Sequence, residues 1–249
     1  MARQKGVIKL QGTLDDITFY KSLDGYIAKT KSSISASRIL TDPQFVRTRE
    51  NMAEFTLAAH SGKHLRDVAN VMIHDAPDTR LISRVHKLMS DIAKFDTTSV
   101  RGERNVGVAI ANPAALALLK GFEFNSNSQI ASILFNPYTV TLATGVITIN
   151  GLVPVNDTAP PPNSTHLTLR GAFAVVDFTT GAGEIQYSNE VKLPIDATST
   201  NVILTPAAVP SLAGTRIYLL QMEFLQEING VQYELNNGIF NALVIAEVA

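Results

Sequence analysis

The chain has 249 residues, of which 45% are hydrophobic, and a formal net charge of −1 at pH 7. This composition excludes a disordered chain, which would carry fewer apolar residues and more net charge. It supplies enough apolar residues for one large hydrophobic core or two ordinary ones. The sequence contains no cysteine, which excludes disulfides, thiolate metal sites and cysteine nucleophiles.

The near-neutral total hides two oppositely charged parts. Residues 1–105 carry 17 Lys and Arg against 12 Asp and Glu, a net charge of +5, whereas residues 106–249 carry 4 against 10, a net charge of −6. Opposite charges at the two ends favour head-to-tail self-association of the chain. Charges of this size are also ordinary variation between modules.

The N-terminal segment is predicted to form a small β-meander. Residues 7–13 alternate as a strand does, residues 17–21 are a second candidate, and an Asp24-Gly25 turn precedes a third strand at residues 26–29. Three short strands bury little by themselves. We therefore expect them to need a packing partner, either the following helices or another subunit.

Three helices are predicted after the meander, because apolar residues recur there at helical spacing behind recognisable start signals. The start signals are Asp42-Pro43, Asp78 after Pro77, and Asn112-Pro113. The first two helices are expected to form a hairpin that closes at residues 75–78, with Gly62 as a candidate interruption of the first. The third is a short helix over residues 114–120.

From Phe122 onward the apolar residues recur at every second position, which predicts strands. Seven or eight short strands over about 125 residues, separated by turn signals, are typical of an immunoglobulin-like sandwich. Because there is no cysteine, packing alone must hold its sheets together. The candidate strands are residues 130–135, 139–142, 146–149, 166–178, 184–193, 201–204, 215–228 and 231–248, the last two joined by Asn229-Gly230.

The sequence therefore predicts an α+β protein. An N-terminal β-meander plus a helical hairpin is followed by a C-terminal, immunoglobulin-like antiparallel β-sandwich. We place the boundary after residue 121, with an N-terminal β-hairpin and helical module over residues 1–121 and the sandwich over residues 122–249.

The cellular location stays unknown from the sequence. The N-terminus is basic, but no apolar stretch typical of a signal peptide follows it. No apolar run approaches the roughly 18–20 residues of a membrane-spanning helix, so we expect no membrane insertion. A cytoplasmic protein, a virion-associated protein and export by a non-classical route all stay open.

Candidate catalytic and metal-binding groups form no convincing set. His60 and His64 have the spacing of metal ligands on a helix, but no third ligand is evident, and a solvated helix face explains them better. Asp15-Asp16, Asp75 and Asp78 fall at predicted turns and helix starts, where capping chemistry accounts for them. Hydrolase, phosphate-loop and dinucleotide signatures do not occur. We expect no enzymatic activity, no cofactor and no metal.

Basic and aromatic residues are interleaved in the N-terminal segment. They are Arg3, Lys5, Lys9, Phe19, Tyr20, Lys21, Tyr26, Lys29 and Lys31. Such a pattern is able to bind single-stranded nucleic acid by stacking and phosphate contact, although a net charge of +5 is modest for that role. Two alternatives stay open: the lysines guard an exposed sheet edge, or they face the acidic C-terminal module of a neighbouring copy.

Residues 239–249 are almost continuously apolar, so this strand requires cover on both faces. We favour a central strand of the sandwich as the explanation. The alternative is an exposed strand that adds to a sheet of another subunit.

The N-terminal segments resemble those of a known group of proteins. The sequence GVIKLQGTLDDITFY at residues 6–20 is followed by DGY at residues 24–26 and by DPQFVRTREN at residues 42–51. This order is similar to the start of uncharacterised bacterial proteins with an N-terminal hairpin, a helical middle and a C-terminal β-sandwich. The resemblance implies an architecture and carries no assigned activity, so it transfers no functional residues.

Our leading hypothesis is a non-catalytic structural protein that self-assembles as a homo-oligomer. It would form a filament, a tube or a virion-like component through its N-terminal β-segment, its C-terminal strand, or both. The candidate interface residues are Val7, Ile8, Leu10, Phe19, Tyr20, Tyr26, Ile239, Phe240 and Val244.

Two alternative functions stay open. A binding module would recognise a glycan or protein through sandwich loops such as residues 156–164. The aromatic content of 7% and the absence of Trp argue against sugar stacking. The second alternative, nucleic-acid binding by the basic N-terminal face, is disfavoured by the modest charge.

Overall fold

A computed structural model of the protein describes residues 1–30 and 34–249, so the predicted basic residue Lys31 lies outside the described residues. The chain combines helices with antiparallel sheets and is α+β, as expected. It divides into two units, Met1–Asn51 and Met52–Ala249.

The first unit is built on a four-stranded antiparallel sheet with the spatial order β1–β4–β3–β2. The predicted meander corresponds to β2, β3 and β4, and β1 extends it. Gly25, with φ of 107°, closes the tight turn between β3 and β4. The elements are β1 (Ala2–Arg3), β2 (Gly12–Leu14), β3 (Ile17–Ser22), β4 (Gly25–Thr30), α1 (Ala36–Thr41) and a 3-10 turn (Pro43–Phe45).

The strand predicted at residues 7–13 is largely a loop, so that prediction is wrong for most of its length. The side chain of Gln4 closes this loop: its Oε1 accepts from the Leu10 N–H (2.8 Å), and its Nε2 donates to the Leu10 carbonyl (3.2 Å). The Gln4 amide therefore takes the place of a neighbouring strand at Leu10. Regular pairing resumes only at β2.

The helices bear out most of the sequence predictions. Asp42 caps the 3-10 turn by accepting from the Gln44 N–H (2.9 Å), and α4 follows Asp78. The helices are α2 (Val46–Val68), which begins in the first unit, α3 (Asn70–Asp75), α4 (Leu81–Ala93), α5 (Val106–Ala109), α6 (Pro113–Ala117), α7 (Ile130–Ile133) and α8 (Pro154–Asp157).

Gly62 does not interrupt α2, which corrects the expected break. A Cβ atom at Gly62 would lie 3.0 Å from Cγ1 of Val85 in α4, so glycine lets the two helices approach closely. The helix instead breaks at Ala69, where φ is −92° and ψ is 13°.

The second unit contains two antiparallel sheets. In the five-stranded sheet, β10 lies between β7 on one side and β11 and β12 on the other, and β8 borders β7. The three-stranded sheet has the order β5–β6–β9. The strands are β5 (Tyr138–Thr141), β6 (Val146–Leu152), β7 (His166–Val176), β8 (Gly183–Pro194), β9 (Thr200–Leu204), β10 (Thr215–Ile228), β11 (Val231–Glu234) and β12 (Ala242–Val248).

The five-stranded sheet is buried on both faces. Ala172 and Ala174 of β7 pack with helical residues such as Met72, whereas Leu167 and Leu169, at alternating positions of the same strand, pack against the three-stranded sheet. The second unit therefore has three layers: helices, five-stranded sheet, three-stranded sheet. Its helix-side core joins residues from both sides of position 121, so the change from helical to alternating apolar spacing there does not coincide with a gap in packing.

Two strand predictions in this unit are wrong. Residues 130–133 form a short helix, because the Ile130 N–H is held by Oε1 of Glu123 (3.0 Å). The strand predicted over residues 231–248 is divided into β11 and β12. A 3-10 turn, Asn236–Gly238, separates them, with φ of 47° at Asn236 and 52° at Asn237.

Candidate functional site

The N-terminal unit has no buried residue among those described within positions 1–51. Its large apolar side chains are exposed instead: Val7 is 101% exposed, Ile8 81%, Leu14 64% and Ile17 45%. Folding normally removes such side chains from water. This unit therefore presents apolar surface that another molecule is able to cover.

One face of the N-terminal sheet carries most of its apolar residues. Residues that pair across antiparallel strands point to the same face, and so do alternate residues along one strand. The pairs Leu14↔Ile17, Phe19↔Ala28 and Lys21↔Tyr26 fix the arrangement. We call the surface formed by Leu14, Ile17, Phe19, Tyr26 and Ala28 the apolar face. The opposite face carries Thr13, Thr18, Tyr20, Ile27 and Lys29.

Lysine side chains cover the tyrosines of this sheet. The ammonium nitrogens of Lys9 and Lys21 lie 6.0 and 5.8 Å from the centre of the Tyr26 ring, and that of Lys29 lies 5.7 Å from the Tyr20 ring. These are cation–π contacts. They leave less aromatic surface for stacking nucleic-acid bases.

The loop between β1 and β2 presents an apolar tip. The Lys9 ammonium donates to the carbonyls of Gln4 (2.7 Å) and Gly6 (2.6 Å), which closes the loop from inside. Val7 and Ile8 are its most exposed residues, and Leu10 beyond them is 50% exposed. We call Val7 and Ile8, with Lys5 and Lys9 beside them, the knob.

The three C-terminal residues predicted for an interface differ in exposure. Ile239 is 41% exposed, Phe240 is half-buried, and Val244 is 3% exposed. One edge of β12 pairs with β10. The other edge is covered by residues 121–124, since the Gly121 N–H donates to the Ile245 carbonyl (2.8 Å) and the Phe124 N–H to the Leu243 carbonyl (2.7 Å). In this fold Val244 offers no surface to a second subunit, but β12 is an outer strand that pairs with β10 alone among the described strands, and not the central strand that we favoured.

A cavity of about 990 Å³ opens between the α3–α4 connection and the turn before β12. Three carboxylates line it together with apolar side chains, and no Lys or Arg lines it in the part of the chain that the structure describes. We call it the acidic cleft. The residues that matter below are Asp75, Asp78, Glu234, Ile73, Leu81 and Ile239.

Asp78 is fixed by a dense set of donors. Its carboxylate accepts from the Arg80 N–H (2.7 Å), from the hydroxyl of Ser126 (2.7 Å) and from Nη2 of Arg84 (2.6 Å). Burial alone would raise the pKa of Asp78, but these hydrogen bonds outweigh it and lower the pKa to about 2. Asp78 therefore stays ionised at neutral pH.

Asp75 and Glu234 differ in their partners. Nη2 of Arg170 donates to Asp75 (3.0 Å) and also to Oε1 of Gln221 (2.9 Å). Glu234 is exposed and makes no ion pair among the residues that the structure describes. Burial, followed by the charge of Asp75, raises the pKa of nearby Glu223 to about 7. Of the Asp75 and Glu234 carboxylates, only that of Glu234 is therefore without a cationic partner among the described residues.

The histidine pair gains no third ligand among the described residues. Across residues 1–30 and 34–249, no group of three or more His, Cys, Asp or Glu side chains is placed to hold a metal ion. His60 is exposed, and the half-buried ring of His64 packs against Gly181, where a Cβ atom would lie 2.4 Å from His64 Cε1.

None of the helices in the described parts of the chain is long and apolar enough to cross a membrane.

Sequence reasoning missed the acidic cleft because its walls are distant in the chain. Residues 73–81 supply one side and residues 234–239 the other. Asp75 and Asp78 drew attention only as capping residues. The strand predicted over residues 231–248 ran through Asn236 and Asn237, whose positive φ angles are the feature that breaks it.

Glu123 predicts a pH dependence of stability. Its Oε1 accepts from Ile130, whereas its Oε2 is buried without a hydrogen-bond partner, and burial raises the pKa of Glu123 to about 7. Between about pH 5 and 7 the unfolded carboxyl has already lost its proton, so the free energy of unfolding falls as the pH rises. Glu123→Gln is expected to remove this contribution, which makes the variant more stable than wild type at pH 8 and about equally stable at pH 5.

Urea denaturation at both pH values measures the effect, with the exposed Glu103→Gln as the control that matches wild type at each pH. Glu223, whose pKa is also raised to about 7, is unchanged in both variants, so part of the pH dependence of the free energy of unfolding remains. A variant Glu123→Gln with the same stability difference from wild type at both pH values would contradict this assignment.

No protein-family model, no curated protein and no solved structure matches this chain.

Proposed function

We propose that the protein is a non-catalytic structural protein whose copies assemble through the N-terminal sheet. The observation that carries the proposal is the absence of any buried residue among those described within positions 1–51. Short strands that bury no face gain little against the conformational entropy lost on folding. A second copy that covers the apolar face supplies the missing burial.

The edges of the same sheet support this proposal. The outer edges of β1 and β2 pair with no other strand in the described residues. Unpaired edges present backbone donors and acceptors to an incoming strand. The sheet therefore offers both an apolar face and hydrogen-bonding edges.

The distribution of charge favours a head-to-tail contact. Residues 1–51 carry nine Lys and Arg against five Asp and Glu, and residues 52–249 carry 12 against 17. Two N-terminal units repel each other, whereas an N-terminal unit and the second unit of another copy attract. A contact between different surfaces extends into a filament unless its rotation closes a ring.

We also propose that the two sheets of the second unit form an immunoglobulin-like sandwich. The strands can be given immunoglobulin letters in chain order. The three-stranded sheet then contains A (β5), B (β6) and E (β9). The five-stranded sheet contains C (β7), C′ (β8), F (β10) and G (β11 with β12). The sheets then have the orders A–B–E and G–F–C–C′, which is the partition of strands in that architecture. The helices that cover the second sheet would be an addition to it.

Ile17→Asp tests the self-assembly. We expect wild-type protein to form species larger than a monomer that grow with concentration, and the variant to stay monomeric, because a charge on the apolar face cannot be buried without a large cost. Multi-angle light scattering after size-exclusion chromatography gives the mass, and negative-stain microscopy shows the shape.

Thr18→Asp is the matched control, since Thr18 is the next residue of the same strand and points to the opposite face. It should assemble as wild type does. A wild-type protein that stays monomeric at every soluble concentration would overturn the proposal, and so would an Ile17→Asp variant that assembles normally.

A further inference from the structure

The knob has the form of an insertion element. Gln4 and Lys9 close its loop with hydrogen bonds, so the exposure of Val7 and Ile8 does not come from a frayed chain end. Two consecutive aliphatic side chains that are 101% and 81% exposed gain about 25 cal/mol for each Å² of surface that a partner covers. A partner for the knob needs an apolar hollow and groups that suit Lys5 and Lys9.

Three described cavities of the second unit differ in how well they suit this knob. One of 350 Å³ lies between α2 and α4 and is lined by Arg66, whose positive charge opposes the lysines. Another, of 320 Å³, has one side-chain carboxylate, Asp177, which already accepts from Thr179 and Thr180. Neither combines an apolar hollow with free negative charge.

The acidic cleft combines both properties. Its volume of about 990 Å³ is near the upper end of the roughly 300–1,000 Å³ of ordinary ligand sites. Ile73, Leu81 and Ile239 give it an apolar lining, and Glu234 gives it a carboxylate with no ion pair among the described residues, whereas Asp75 already pairs with Arg170. It therefore matches the knob in both polarity and sign.

We propose that the acidic cleft of one copy receives the knob of a second copy. Val7 and Ile8 enter the apolar part, and Lys5 pairs with Glu234, whose carboxylate makes no ion pair among the described residues. This inference rests on the self-assembly proposed above and names the contact that gives it specificity. The knob and the apolar face are separate parts of the N-terminal unit, so each is testable without changing the other.

The cleft is held open by contacts of its own. The side-chain amide of Asn241 donates to the Asp75 carbonyl (2.7 Å), and a Cβ atom at Gly238 would lie 2.6 Å from the same oxygen. The two walls are therefore tied together, and Asp78 is fixed from behind by Arg84. A preorganised site loses little entropy when it is filled.

Charge exchange tests the contact in the full-length protein. Glu234→Lys alone and Lys5→Glu alone are each expected to raise the concentration at half-assembly by about tenfold, because each creates a like-charge contact. The double variant Lys5→Glu/Glu234→Lys restores the opposite charges and should return towards the wild-type value. Glu103→Lys, an exposed change outside the cleft, should assemble as wild type does.

Disulfide trapping supplies a readout that does not depend on affinity. Since the chain has no cysteine, Ile8→Cys combined with Asn237→Cys introduces one thiol on the knob and one in the cleft lining. Under oxidising conditions we expect a ladder of covalent multimers on a non-reducing gel. Ile8→Cys combined with Glu103→Cys should give no ladder beyond dimers.

The outcomes separate the two proposals. If the wild-type protein assembles, three results would each overturn the knob-in-cleft contact and leave self-assembly standing. They are normal assembly of Glu234→Lys, a double variant that does not recover, and the absence of the ladder. A monomeric wild-type protein would overturn both. Urea midpoints of the single variants close to that of wild type establish that the fold is intact.

Discussion

Replacing Arg84 with methionine is expected to lower the free energy of unfolding by about 3 kcal/mol. Arg84 donates to the carboxylate of Asp78 (2.6 Å) and to the carbonyls of Glu123 (2.6 Å) and Phe124 (2.7 Å). Its guanidinium also lies over the Phe122 ring, 5.3 Å from the ring centre. Methionine fills most of the space but leaves these acceptors without their donor, and the Asp78 side chain is only 3% exposed.

Lys87→Met, on the same helix α4, is the matched control. Lys87 is 79% exposed and pairs with Asp91 at the surface, so its loss should change the free energy of unfolding by less than about 0.5 kcal/mol. Urea denaturation of both variants measures the difference. Equal effects would mean that Arg84 contributes only its charge and does not tie α4 to residues 122–124.

Gly145→Ala is expected to cost about 3 kcal/mol of the free energy of unfolding. Gly145 has φ of 75°, and a Cβ atom there would lie 2.6 Å from Cδ1 of Phe173. The Phe173 ring is buried against Tyr218, with 4.6 Å between the ring centres, and cannot retreat. The variant therefore adds a clash between the sheets to the strain of a left-handed backbone.

Gly121→Ala separates the two causes. Its φ of 78° is similar, but no atom lies within 4 Å of the position that its Cβ would take. We expect a loss of about 1–2 kcal/mol from the backbone alone. Thermal or urea denaturation of the pair gives the steric contribution by difference, and a Gly145→Ala cost no larger than that of Gly121→Ala would contradict the clash.

Much of the second unit was predictable from local pattern. Residues 166–178 and 215–228 are rich in apolar residues at strand spacing, and they form β7 and β10 at the centre of the five-stranded sheet. The Asn229-Gly230 turn also lies where predicted, with positive φ at both residues. These elements are decided by side-chain pattern and turn chemistry, which the sequence displays directly.

The failures share a physical origin in hydrogen bonds from one side chain to a backbone group six or seven residues further along the chain. Residues 130–135 have strand composition, yet Glu123 holds Ile130 at the start of a short helix. Residues 7–13 alternate as a strand does, yet the side chain of Gln4 closes them into a loop. In both places the strand propensity of the segment is overridden, because one side chain forms the hydrogen bond that a neighbouring strand would otherwise supply.

Some of the candidate surfaces were predictable from the sequence, and others depend on how the chain packs. Val7 and Ile8 were predicted interface residues as part of an N-terminal β-segment that buries little by itself, and the structure places them at the surface, in a loop. The acidic cleft depends on the approach of residues 73–81 and 234–239, which only the three-layer packing brings about. Val244 was chosen for its apolar neighbours, and those neighbours are the reason that it is buried.

The closure of both edges of β12 has a consequence for synthesis on the ribosome. Residues 121–124 bond to residues 243–245, and β10 pairs with the same strand, so two earlier segments wait for one that is translated after both. Until then, the nascent chain carries a bare edge on β10 and an incomplete core beneath the helices. The emergence of β12, rather than that of any earlier segment, should set the moment at which the second unit becomes resistant to proteases.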